Sequence, residues 1–178
     1  MYSAENKVKG YIQVYTGDGK GKTTAAIGLV IRAVGAGKNV FFAQFMKGKA
    51  SSEIKALKLL GDAVTIRRYG RENFIFSSPG KEDIRIAAEG LREVKKNIIS
   101  GTYDVVILDE ANVAVYYNLF TVPDLLDVID SRPGNVELVI TGRNAAPEII
   151  AKADLVTEMR EVKHYFSKGV KARKGIEL

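Results

Sequence analysis

The sequence predicts a three-layer α/β/α fold with a mainly parallel central sheet, and three observations carry that expectation. Short β-rich runs alternate with helical segments along the chain, the pattern of strands joined by crossover helices. The run Val105-Val-Ile-Leu108 is apolar without alternation, as a strand buried on both faces requires. The glycine-rich stretch Gly17-Asp-Gly-Lys-Gly-Lys-Thr23 lies between the first strand and the first helix, the context of a phosphate-binding loop.

The elements follow in order. Tyr11 to Tyr15 reads as a strand running into the glycines. Thr24 to Val34 has apolar residues at helical spacing, and Gly35-Ala36-Gly37 ends it. Val40 to Phe45 is a second strand. Ser51 or Ser52 caps a helix to Leu60, which Gly61 stops. Val64 to Arg68 is a third strand. Tyr69 to Ser78 has no regular period and reads as a long loop. Pro79 opens a helix of about twenty residues that ends near Ser100-Gly101. After the central strand, Val122 to Ile129 is a short helix closed by Arg132-Pro133-Gly134. Val136 to Ile140 is a strand, Pro147 to Lys152 a helix, and Leu155 to Met159 the last strand.

The 178 residues indicate a single domain over 1–178, with a flexible tail at 1–9 and a basic segment at 160–178. A chain this long buries about 70% of its unfolded surface and needs no covalent staple. Without cysteine, neither a disulfide framework nor a thiolate zinc site is possible. No run reaches the roughly 18 apolar residues of a membrane span. The polar start, Met1 to Lys9, lacks the centre of a signal peptide. A cytoplasmic protein with no membrane partner is expected. Lys and Arg number 27 against 21 acidic residues, a net charge of +6 that favours an anionic partner without naming one. Lys163, Lys168, Lys171, Arg173 and Lys174 concentrate this charge near the end. That stretch is either a solvated tail or a segment folded over an anionic ligand.

Gly17, Asp18, Gly19, Lys20, Gly21, Lys22, Thr23 and Thr24 are the candidate phosphate-binding residues. Glycines let the backbone curl so that N–H groups face phosphate oxygens, and the helix N-terminus adds about half a positive charge. Lys22 would neutralise phosphate, and the Thr23 hydroxyl would meet Mg²⁺ (or Mn²⁺). Aligned on Gly21-Lys22-Thr23, the usual first glycine position holds Thr16, so the loop is one residue short of G-x-x-x-x-G-K-[ST]. Asp109 and Glu110 end the central strand, where acids approach the same metal in this architecture. An ordinary glycine turn and an ordinary acidic turn are the competing readings.

Further segments are Gln44-Phe-Met-Lys-Gly48, Ile140-Thr-Gly-Arg143, Val162-Lys-His164, Gly169-Val-Lys-Ala172 and Gly175-Ile176. With the phosphate loop and Val106-Ile-Leu-Asp-Glu110, they resemble the ATP-dependent corrinoid adenosyltransferases, in the branch with a RecA-like P-loop NTPase fold. The resemblance runs from Gly10 to Leu178. It implies that Co(I) of a reduced corrinoid attacks the 5′ carbon of ATP and that triphosphate leaves. The family holds ATP in a reversed sense, which gives the short loop a meaning that spacing alone does not.

By the same resemblance, aromatics in Gly70-Arg-Glu-Asn-Phe74-Ile-Phe76 press on the corrinoid and displace its lower ligand, easing reduction of Co(II). Phe74 and Phe76 match those positions, the second more loosely because one relative has Trp there. Both rings could instead be anchors of a long loop. Lys47, Lys49 and Arg143 follow strand ends, where they meet phosphate or a corrinoid side chain, or remain surface cations. His164, the only histidine, reads first as a hydrogen-bonded structural residue rather than a ligand or proton carrier.

Relatives imply a homodimer and a reducing flavoprotein partner. Some carry a longer N-terminal cover; only 16 residues precede Gly17 here, so that cover is expected to be missing or to come from a partner subunit. A RecA-like ATPase or DNA motor needs an activated water and an arginine finger. A small-molecule kinase needs a lid of arginines, for which Arg67, Arg68 and Arg71 are the candidates.

Overall fold

The strands expected to alternate with helices do so. The computed structural model describes residues 8–48, 51–71 and 79–177. In chain order the elements are β1 (Ile12–Thr16), α1 (Lys22–Gly35), β2 (Val40–Phe45), α2 (Ser52–Lys58) and β3 (Val64–Tyr69). Then come α3 (Lys81–Ile99), β4 (Val105–Asp109), α4 (Ala111–Tyr116), α5 (Val122–Asp130), β5 (Glu137–Thr141), α6 (Pro147–Lys152) and β6 (Leu155–Glu158). The six strands form one sheet in the order β3-β2-β4-β5-β1-β6, with every neighbouring pair parallel.

A parallel sheet must be covered on both faces, and the alternation of side chains along each strand divides the core in two. Phe41, Ala43 and Phe45 of β2 join Val106 and Leu108 of β4 under α3, α4, α5 and α6. Val40, Phe42, Val105 and Ile107 face the other way, against Ala26, Val30 and Ala33 of α1 and Ile54 and Leu57 of α2. Every residue of β2 and β4 is buried, as the unbroken apolar run of β4 requires. Phe45 anchors the first layer, with its ring centroid 5.3 Å from that of Tyr69 and 5.2 Å, edge-on, from that of Phe120.

Local chemistry sets the helix ends. The Thr121 side chain accepts from the Asp124 backbone N–H while the Asp124 carboxylate accepts from Thr121 N–H, a reciprocal cap on α5. Asp83 supplies one half of such a cap for α3 by accepting from Gly80 N–H at 2.8 Å, and that helix starts two residues after Pro79 rather than at it. Ser51 occupies the cap position of α2 without a side-chain cap, and its hydroxyl is buried with no hydrogen-bond partner among the described residues. The helix α4 was not expected: Ala111–Tyr116 is only six residues and follows the strand directly, too short for periodicity to register. The last strand ends at Glu158, one residue early, because Met159 turns toward the loop after β1.

Two glycines on helices separate packing from propensity. A Cβ on Gly90 of α3 would lie 2.3 Å from the Tyr69 ring, whereas one on Gly28 of α1 meets nothing within 4 Å. Gly90→Ala should therefore destabilise the chain by about 1–3 kcal/mol despite the better helix former. Gly28→Ala should stabilise it by about 0.5–1 kcal/mol. Urea unfolding midpoints check both, and a shift of the same sign in the two variants would refute the assignment.

Candidate functional site

The carboxyl ends of β1, β2, β4 and β5 meet at one edge of the sheet, where parallel α/β folds bind ligands. A cavity of about 430 Å³ opens there. Its wall is formed by Gly19 to Thr24 of the phosphate loop and α1, by Met46 and Lys47 after β2, by Glu110 and Val113 after β4, and by Arg143 after β5. Residues far apart in the sequence thus converge because each strand ends at the same edge.

The loop is held from beneath by the chain leaving β6. Met159 N–H donates to Thr16 O at 2.8 Å, and Gly19 N–H donates to Met159 O at 2.6 Å. A Cβ on Gly17 or Gly19 would stand 2.6 Å from that same Met159 oxygen. Gly17 and Gly21 also have φ of 92° and 122°, which side chains disfavour. The glycines therefore answer a close backbone approach as well as a curled loop.

Lys22 lies within the curl. Its ammonium donates to the carbonyls of Gly17 and Gly19, both at 2.7 Å. Burial, and then the nearby Arg143 charge, lower its pKa below the ordinary lysine value. The Thr23 hydroxyl donates to Asp109 Oδ1 at 2.8 Å. Asp109, wholly buried at the end of β4, also accepts from Thr141 Oγ1 at 2.7 Å and from Gln44 Nε2 at 2.9 Å. Glu110 adopts a left-handed backbone with φ of 61°, and its N–H donates to Thr141 Oγ1 at 3.1 Å. Its carboxylate is 3.8 Å from Lys47 Nζ, which lies 4.0 Å from Glu53. Burial, followed by the charge of Asp109, raises the Glu110 pKa. Met46 shares the left-handed backbone, with φ of 62°. Both residues line the cavity, where such backbone strain tends to concentrate.

Of the residues expected from sequence, Gly19, Lys20, Gly21, Lys22, Thr23, Thr24, Lys47, Glu110 and Arg143 line the cavity together. Asp109 lies behind it, on Thr23. Gly17 serves through its carbonyl on Lys22, and Asp18 is exposed outside the lining. Lys20 turns to Glu177 at 3.0 Å and to the Tyr165 hydroxyl at 3.2 Å. Phe74, Phe76 and Lys49 lie outside the described residues. Sequence reasoning assigned no part to Gln44, Thr141, Met159 or Glu177. Gln44 and Thr141 did carry a signal, a polar residue at or next to the end of a strand with an apolar middle. Met159 and Glu177 act through contacts with no local signature.

Two outcomes follow from this geometry. Thr141→Val removes a donor to Asp109 and the acceptor of Glu110 N–H, and should cost about 1–3 kcal/mol in urea unfolding. Glu110 binds its proton more tightly folded than unfolded. Its contribution to stability is therefore full below the unfolded value of about 4.3 and is lost as pH rises through the raised folded value. Glu110→Gln should melt above the wild type at pH 7 and converge with it near pH 4. A gap that widens toward pH 4 would contradict the assignment.

The model of the family ATP:corrinoid adenosyltransferase BtuR/CobO/CobP matches residues 8–178. Corrinoid adenosyltransferase CobA of Salmonella typhimurium is 37% identical over 171 residues, spanning 95% of this chain and 86% of the relative. The corrinoid adenosyltransferase of Pseudomonas aeruginosa is 36% identical over 172 residues, spanning 96% and 84%. Among solved structures, the flagellar accessory protein FlaH from Methanocaldococcus jannaschii superposes with a TM-score of 0.55 at 15% identity, over 84% of this chain and 71% of that one, a likeness of fold alone. With the family pattern matched almost end to end, and its phosphate loop standing at the carboxyl edge of the sheet, the chain belongs to the ATP:corrinoid adenosyltransferase family.

Proposed function

We propose that this chain transfers the 5′-deoxyadenosyl group of ATP to Co(I) of a reduced corrinoid. The observation that carries this reading is family membership over residues 8–178, joined to a phosphate loop whose cations face a cavity large enough for a polyphosphate. In the reaction the Co(I) electron pair forms a bond to C5′. The C5′–O bond breaks, and triphosphate leaves with that bonding pair. The nucleophile arrives with the substrate, so the protein's work is to position ATP and to stabilise charge on the leaving group.

The residues suit those tasks. Gly19 to Thr24 present backbone and side-chain donors, Lys22 places an ammonium within the loop, and Lys47 and Arg143 add positive charge across the cavity. A hard divalent cation also fits. Mg²⁺ takes one or two carboxylates, a hydroxyl and substrate phosphates rather than an all-protein cage. Thr23, Asp109 and Glu110 would supply such a set, and Gln44 Oε1 beside Asp109 is buried without a partner among the described residues. Bound there, Mg²⁺ would neutralise developing charge on triphosphate.

Phe74 and Phe76 are assigned to the corrinoid face by family resemblance. A reducing flavoprotein, a homodimer and a cytoplasmic location belong to the same reading. Among the described residues no helix is long and apolar enough to cross a membrane. The kinase reading loses its arginine lid: Arg67 pairs with Glu93 at 3.0 Å, Arg68 donates to Gly48 O at 2.6 Å, and Arg71 is bound to Asp83 at 2.6 Å. Two of the three are held by α3 and the third by the backbone after β2.

Mg-ATP, a corrinoid and a strong reductant should yield a light-sensitive adenosylcorrinoid and inorganic triphosphate. Orthophosphate or a phosphorylated acceptor, with no adenosylcorrinoid, would sink the reading. Lys22→Ala should weaken ATP binding by about 100-fold or more. Phe74→Ala should slow reaction from Co(II) more than from chemically generated Co(I), and equal losses would remove it from the reduction step.

A further inference from the structure

Part of the basic C-terminal segment folds back onto the phosphate loop, although its lysines stay exposed. Glu177 sits at the centre of a latch. It accepts from Lys20 of the loop at 3.0 Å, from Arg173 Nη2 at 3.1 Å, and from the Tyr165 hydroxyl. The Arg173 and Lys20 charges lie 5.0 and 5.9 Å from the centroid of the Tyr165 ring. Hydrogen bonds from Arg173, and next from Tyr165, hold the Glu177 carboxyl well below the usual range, so it stays ionised and keeps its cations.

The latch brings His164 to the cavity. His164 precedes the short 3₁₀ turn Tyr165–Lys168, is half-buried, and lines the same cavity as Lys20, Lys22 and Thr23. Its Nδ1 accepts from Phe166 N–H at 3.0 Å, capping that turn, and its ring packs on Tyr165 with centroids 4.8 Å apart. A neutral imidazole that accepts at Nδ1 carries its proton on Nε2. No described residue accepts that proton, so the cap leaves a fixed, unspent donor on the wall of the cavity that the phosphate loop also lines.

We propose that His164 binds the nucleotide, donating from Nε2–H to an oxygen of its phosphate chain or sugar, and that the Lys20–Glu177–Tyr165 latch positions it. This rests on the cavity being the ATP site of the reaction proposed above. Two near-isosteres separate it from a purely structural role. Asn keeps an acceptor close to where Nδ1 stands and so keeps the cap, but its amide is too short to replace Nε2–H. Gln reaches the position of Nε2 with an N–H donor but does not reproduce the cap.

Titration calorimetry of the full chain with Mg-ATP, and separately with Mg-tripolyphosphate, tests the idea. His164→Asn, melting at the wild-type temperature, should bind ATP roughly 5- to 20-fold more weakly, while His164→Gln keeps most of the affinity. An equal loss for tripolyphosphate places the contact on phosphate, and an undiminished affinity for it places the contact on the sugar. Glu177→Ala should share the ATP deficit, and full affinity there overturns the latch. If Asn binds ATP like the wild type and Gln does not, His164 is only a cap; the proposal fails while the ATP site stands. If the wild type binds neither ligand, the reading of the cavity fails first.

Discussion

The site depends on one buried charge. Asp109 is wholly enclosed at the end of β4, where an unpaired carboxylate would cost several kcal/mol. It is tolerated because donors from three other elements converge on it: Thr23 of α1, Thr141 of β5 and Gln44 of β2. Each of those elements is thereby fixed against β4. The helix that begins at Lys22 cannot slide without stranding Asp109, so the placement of Lys22 and of the loop before it follows from that carboxylate. A buried group of this kind stabilises less than it specifies, since its worth lies in the arrangement that it alone satisfies.

The edge strand completes what Asp109 begins. The phosphate loop is pinned on one side by Thr23 and on the other by Met159, whose N–H and carbonyl bond Thr16 and Gly19. The glycines at 17 and 19 and the end of β6 at Glu158 thus share a cause, the backbone of Met159 lying against the loop. The same strand delivers the chain to the cavity rim, so the C-terminal segment starts close to the loop that it latches.

Much of the fold was readable because the signals were local. Val105 to Leu108 could only be a doubly buried strand, and Pro147 opens α6 at the predicted residue. The candidate site was readable as far as its motifs reached: Lys22, Thr23, Asp109 and Glu110 stand together as expected. What stayed hidden depends on distance in the sequence. Met159 meets Gly19 only because β6 pairs with β1, and Glu177 meets Lys20 across 157 positions. The helix α4 escaped notice because six residues after a strand carry no period. The basic composition of the C-terminal stretch left a solvated tail and a segment folded over an anionic ligand both open, and did not point to the anion that organises it, Glu177.

Charge placement explains why such a site suits displacement of triphosphate better than attack by water. Hydrolysis needs a carboxylate or comparable acceptor free to orient and deprotonate water. Asp109 already accepts three hydrogen bonds, and Glu177 is surrounded by Arg173, Tyr165 and Lys20. Glu110 is the carboxylate that burial makes more basic, and it faces Lys47, whose charge opposes protonation. The positive groups, by contrast, border the space where a polyphosphate would lie. A chain that ranges its donors around this cavity fits a reaction whose nucleophile comes with the second substrate.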